Sequence, residues 1–343
     1  MKVDEDSAAV PGLGDLRAWR EAQAKADDGP VKPVAEVHGM GEWDDDALAD
    51  RPLGASENPD DEPPPPPGEP LGAHLLRFFH LELDDALVLA RPEDRRGLLP
   101  ETLVVLGVSL GASAVWSVLS LIDSLTRSVP LNQQTTTINA SVTPDRPYLD
   151  LAYQLAHIVL PLVPVALAFY LLARVRRPDG APYRVMGIQW SNAPKDTALG
   201  VLLAAIIGIP GLGLYVIARA LGYNLNVSPG NLSAYWWTIP AYILLAAMNG
   251  VLEETVMIGY LFTRWTQLAM SPWRVIVASA LIRGAYHLYQ GWGGGIGNFL
   301  MGLLFGWVYM RTRRVLPLVI AHTILDIVSF VGYSLLHNVL TWL

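Results

Sequence analysis

Five ionisable side chains, Glu253, Glu254, His287, His322 and Asp326, fall inside long apolar stretches of this 343-residue chain. An ionised group at the centre of a bilayer costs at least about 2.5–3.5 kcal/mol on insertion scales, so such residues have a function or pair with one another. Glu253 and Glu254 are adjacent and project about 100° apart on a helix. Arg283 and His287 are spaced i,i+4, as are His322 and Asp326, which places each pair on one helix face. Three apolar segments therefore each carry a polar face that must meet the others or water. A carboxylate in such a site can act as general base toward water. One imidazole can share that water, and a second can donate to the oxyanion formed at a peptide carbonyl. No Ser or Thr stands beside the set as a nucleophile and the chain has no Cys, so direct attack by water is the economical chemistry. The competing reading of the same residues is a polar network that locks helices together.

The elements that position these groups are long apolar segments. A bilayer is crossed by about 20 apolar residues, and segments near 101–123, 151–173, 197–221, 236–263, 274–290, 293–310 and 316–340 qualify. The expected fold is all-α: a polytopic membrane bundle of about seven transmembrane helices across 98–343. Tyr235-Trp236-Trp237 marks an interfacial belt at the fourth segment. The other Trp and Tyr residues read mainly as interface anchors, and the glycines of the third and sixth segments permit close helix packing. His157, alone on the second segment, reads as structural.

The N-terminal third is a different material. Residues 1–97 hold 23 Asp/Glu against 10 Lys/Arg, whereas 98–343 hold 9 against 14. Residues 1–70, with acidic runs and Pro63 to Pro67, read as a disordered cytoplasmic tail. Residues 71–97 suggest an amphipathic helix on the membrane surface. No dense basic stripe exists to neutralise phosphates, which disfavours nucleic acid, and none is expected as a partner. Without Cys, thiolate zinc sites, disulfides and iron–sulfur clusters are excluded as well. Counting Lys/Arg in the loops gives 13 on one side and 3 on the other, so the N-terminus is expected in the cytoplasm and the C-terminus outside. Asn139, Asn226 and Asn231 begin Asn-x-Ser triplets on outer loops and are read as chance occurrences.

With these residues in view, the chain resembles the CAAX protease and bacteriocin-processing family of intramembrane glutamic endopeptidases, in particular its bacterial members. Glu253-Glu254 matches the first motif, Glu-Glu-x-x-x-Arg. His287 matches the second, Phe-x-x-x-His, and His322-x-x-x-Asp326 matches the third, His-x-x-x-Asn/Asp. The resemblance covers about residues 195–335 and implies a protease-like core. It implies Glu253 as general base, His287 holding the water, Glu254 supporting the site or contacting the peptide, and His322 stabilising the oxyanion. Two positions depart from the pattern: Ile258 stands at the motif Arg and Arg283 at the motif Phe. An ionised Asp cannot donate to an oxyanion, so Asp326 is assigned to orienting His322. A guanidinium cannot shed its charge by losing a proton, so Arg283 is expected to pair with a glutamate, Glu254 rather than Glu253. Asn298 is a supporting candidate that lines the cavity or bonds a neighbouring helix.

No cofactor is expected. Two His and a Glu could ligate zinc, yet no His-Glu-x-x-His pattern occurs. The expected partners are the lipid bilayer and a membrane-associated peptide or protein substrate. The alternatives are a proton-coupled transporter, which would use the same groups as a relay, and a catalytically silent scaffold or self-immunity factor.

Overall fold

The computed structural model describes residues 80–82, 95–174, 182–188 and 192–336. The tail expected at 1–70 lies outside the described residues, as does the helix expected at 71–97 apart from 80–82 and 95–97. The described chain is a helical membrane bundle with a two-stranded sheet. In chain order its elements are α1 (Leu98–Gly107), α2 (Leu110–Thr126), β1 (Thr135–Ala140), α3 (Pro147–Val159), α4 (Val163–Leu172) and α5 (Ala193–Ala220). β2 (Asn226–Asn231), α6 (Thr238–Glu253), α7 (Leu261–Gln267), α8 (Pro272–Tyr286), α9 (Trp292–Thr312) and α10 (Leu316–Leu336) follow.

Among the described residues, four helical stretches are long and apolar enough to cross a membrane: Pro147–Leu172, Ala193–Ala220, Thr238–Gln267 and Leu316–Leu336. The pair α1–α2, bent by 53°, makes a fifth if it is counted as one span. The expected segments near 274–290 and 293–310 are helical but do not meet both conditions. α8 has 15 residues, which is about 22 Å against a hydrocarbon thickness of about 30 Å. α9 carries six glycines and ends in Arg311 and Thr312. These two helices pack chiefly on each other.

Local chemistry explains the interruptions. The hydroxyl of Ser109 turns back to the Val105 carbonyl at 2.6 Å where α1 gives way to α2. Pro161 and Pro164, which cannot donate to the helix ladder, coincide with the 3₁₀ turn between α3 and α4. Beyond Glu253 the helix widens into a π segment, Glu254–Tyr260, before α7 resumes. Its altered carbonyls are met by side chains: Ser279 of α8 donates to Met257 O at 2.9 Å, and Thr263 donates to Gly259 O at 2.7 Å.

Two glycines set the spacing around the polar residues. A Cβ at Gly250 would lie 2.6 Å from Thr323 Oγ1 and 2.9 Å from the Val319 carbonyl, so α6 and α10 touch there. At Gly302 it would meet the Ala280 Cα at 2.9 Å, so α8 and α9 are equally close.

The connections sort to two ends. Glu101 pairs with Arg264, and Asp196 with Arg314, tying α1 to α7 and α5 to the α9–α10 turn. At the other end β1 and β2 pair in parallel from Thr135↔Asn226 to Ala140↔Asn231, and Asn224 bridges to Gly291. Asn139, Asn226 and Asn231 thus lie in paired strands rather than loops.

Candidate active site

Glu253 sits mid-way along the longest continuous helical stretch, about 21–22 Å from each end of 238–267. Glu254 opens the π segment, is fully buried, and is the most heavily bonded carboxylate in the site. Arg283 Nη2 donates to both of its oxygens at 2.8 Å, and His322 Nδ1 lies 2.7 Å from Oε1. Because a carboxylate only accepts, that His322 nitrogen carries the hydrogen. The contact between Arg283 and Glu254 expected from charge balance is therefore present.

The guanidinium also reaches the neighbouring glutamate. Arg283 Nη1 is 3.5 Å from Glu253 Oε2, an ion-pair distance without a hydrogen bond, and this buried nitrogen has no hydrogen-bond partner among the described residues. Two adjacent carboxylates that diverge on their helix are thus bridged by the two arms of one cation. The Arg283 stem runs past the glycine contact at Gly302, whose added Cβ would lie 3.2 Å from Arg283 Cδ. Ile258, at the motif Arg position, is buried in the apolar core.

His287 meets Arg283 at i,i+4 through the backbone. α8 ends at Tyr286, and His287 is its C-cap residue, with Nδ1 3.0 Å from the Arg283 carbonyl. A carbonyl only accepts, so Nδ1 bears the hydrogen and Nε2 presents a lone pair. His287 makes no hydrogen bond to either glutamate. Its neighbour Tyr286 does: the phenol donates to Glu253 Oε2 at 2.7 Å. Sequence reasoning placed Tyr residues at interfaces and missed this one. The only signal was its position three residues after Arg283.

The third motif is also rearranged. His322 Nε2 and Asp326 Oδ1 are 3.9 Å apart, beyond hydrogen-bond distance, while Asp326 Oδ2 accepts from Asn249 Nδ2 at 2.8 Å. Glu254 rather than Asp326 is the close partner of His322. Asn249 was likewise missed, although its i,i+4 spacing from Glu253 marks it as facing the same way. Asn298 bonds the Gly294 carbonyl of its own helix at 3.0 Å, neither a neighbouring helix nor the Glu/His cluster.

Glu253, Glu254 and His322 each offer one ligand atom within 4.8 Å of the others, so a metal must be considered. The donors fit one poorly. Both Glu254 oxygens already accept from Arg283, the His322 nitrogen facing them bears a hydrogen, and a guanidinium stands where a divalent ion would be repelled. Among the described residues, Glu253 Oε1 and the Nε2 atoms of His287 and His322 have no hydrogen-bond partner.

Residues 235–328 match the family model described as Type II CAAX prenyl endopeptidase Rce1-like. This segment belongs to the CAAX protease family. The match runs from just before α6 into α10 and so contains every residue of the cluster, while α1 to α5 lie outside it. No curated protein and no solved structure matches the chain. As a CAAX-protease-family core within a helical bundle, the segment makes this a multi-pass membrane protein.

Proposed function

We propose that this chain is an intramembrane endopeptidase that hydrolyses a peptide bond with water activated by Glu253 and His287. The observation that carries the reading is the division of labour between the adjacent glutamates. Glu254 is saturated by Arg283 and His322, whereas Glu253 keeps one oxygen without a donor. A free carboxylate oxygen held in place by its twin is suited to take a proton.

In the proposed sequence, water bound between Glu253 Oε1 and His287 Nε2 gives its proton to Glu253 as its oxygen attacks the scissile carbonyl. The carbonyl π pair moves onto oxygen, and the oxyanion is stabilised by the Nε2–H of a doubly protonated His322, whose Nδ1–H stays on Glu254. When the C–N bond breaks, the proton held by Glu253 passes to the amine. Arg283 keeps two carboxylates compatible within one apolar bundle. No metal has a step in this scheme. The substrate class is a peptide or protein held at the membrane. The end of the bundle carrying Arg264, Arg274, Arg313 and Arg314 is assigned to the cytoplasm on the excess of basic residues there.

The test is a comparison of membrane-protein termini in cells carrying wild-type protein or Glu253→Ala. New termini present only with the wild-type chain are expected. Identical terminal profiles, at equal expression, refute the peptidase reading.

A further inference from the structure

α6 with its π continuation is joined to α10 by two polar rungs. Glu254 meets His322, and one turn along each helix Asn249 meets Asp326. Exposure rises from the first rung to the second: the side chains of Glu254 and His322 are 0% and 6% exposed, and that of Asp326 is 20%. The Asn249–Asp326 rung is therefore the open end of the site. Asn249 faces the same way as Glu253, four residues on.

An ionised Asp326 only accepts, so the Asn249 amide presents Nδ2 to it and uses one of its two N–H bonds there. The second N–H has no partner among the described residues. Tetrahedral intermediates of acyl transfer are usually held by more than one donor, and His322 can supply one, through Nε2. Resting on the peptidase reading above, we infer that Asn249 is a catalytic residue whose free amide N–H donates the second hydrogen bond to the developing oxyanion. Asp326, which cannot donate, is then the acceptor that aims this amide. The amide gives up no proton. It bonds the oxygen while the water oxygen forms its bond to carbon and releases it when the C–N bond breaks.

Asn249→Ser separates this role from a structural one. Serine keeps a single donor for Asp326 but has none left for substrate. The assay uses the full-length chain in proteoliposomes with a quenched-fluorescence peptide library, taking the peptide cleaved fastest by wild type as reporter. Asn249→Ser and Asn249→Ala are expected to lower kcat about 10²–10³-fold with KM changed less than about threefold, the signature of a bond made only in the transition state. Affinity for a phosphinate analogue of the reporter, which carries a tetrahedral oxyanion, should fall by a similar factor. Thermal melting reports folding. If Asn249→Ala does not fold, Asn249→Gln, whose amide is displaced by one methylene, should show the same loss confined to kcat. A folded Asn249→Ser with near wild-type kcat overturns the assignment and leaves Asn249 as a holder of Asp326. Digests unchanged by Glu253→Gln remove the peptidase reading itself, whereas digests lost in Glu253→Gln but kept in Asn249→Ser remove only the role of Asn249.

Discussion

Two regions of the bundle bury ion pairs and treat them differently. At the Arg-rich end, every nitrogen of Arg264 has an acceptor: Nε donates to Glu101, Nη1 to Gln267 and Nη2 to the Leu171 carbonyl. Arg314 grips Asp196 through two bonds of 2.6 and 2.5 Å. At the centre, among the described residues, Arg283 Nη1 has no hydrogen bond, Glu253 Oε1 no donor and His287 Nε2 no partner. Saturated pairs hold helices in register. Polar groups with bonding capacity to spare are available to water and substrate, at a cost the surrounding packing must cover.

The widest contrast is between Glu253→Gln and Asp196→Asn. Losing a general base costs about 10²–10⁴-fold in rate, so Glu253→Gln should abolish cleavage while melting near wild type. His287→Ala should behave alike. Asp196→Asn leaves Arg314 short of a carboxylate, and breaking a buried pair costs about 3–5 kcal/mol. Its melting temperature should drop while turnover per folded molecule stays unchanged. If Asp196→Asn were the catalytic loss and Glu253→Gln the stability loss, the division between the two regions would collapse.

Arg283 belongs to both categories. Arg283→Phe should lower stability by about 3–5 kcal/mol, because Glu254 loses its cation, and should lower turnover too. Adding Ile258→Arg restores the family pattern at both positions and is expected to recover much of each loss. Melting and kinetics of the single and double variants decide it, and a double variant no better than the single would show that position 258 cannot reach Glu254.

A smaller effect is expected at Tyr286. Tyr286→Phe removes one hydrogen bond to Glu253 and keeps the ring, so a change of about 1 kcal/mol, or about fivefold in rate, should appear in kcat. No change would mean that Glu253 is oriented by Arg283 alone. The smallest effect is for metal removal. Strong chelators should leave purified protein active, since the Glu254 oxygens are already committed to Arg283 and His322. Stoichiometric zinc, with activity lost on stripping and regained on addition, would reverse that expectation.

Periodicity located much of this molecule because helix spacing is a local property. The helices at 193–220, 238–267 and 316–336 follow directly from apolar length, and the i,i+4 relation of His322 and Asp326 from residue number. Periodicity does not say which atoms pair at a helix end. His287 caps α8 with Nδ1 on the Arg283 carbonyl, and Tyr286 supplies the hydrogen bond to Glu253. Among the described residues four or five stretches are long and apolar enough to cross a membrane, and the apolar segments at α8 and α9 fall short by length or composition.

The amino-acid sequence by itself determined which groups are present for chemistry, that they lie on three apolar helices, and that a buried guanidinium must find a carboxylate. Charge and helix geometry require that much in any packing. Only the tertiary structure decided the pairings. Gly250 and Gly302 let particular turns of α6, α8, α9 and α10 come together, and the π segment starts at Glu254. Those contacts between distant parts of the chain give Arg283 and His322 to Glu254, Tyr286 to Glu253 and Asn249 to Asp326. Which side chain is left with an open valence depends on these approaches, and no residue spacing encodes them.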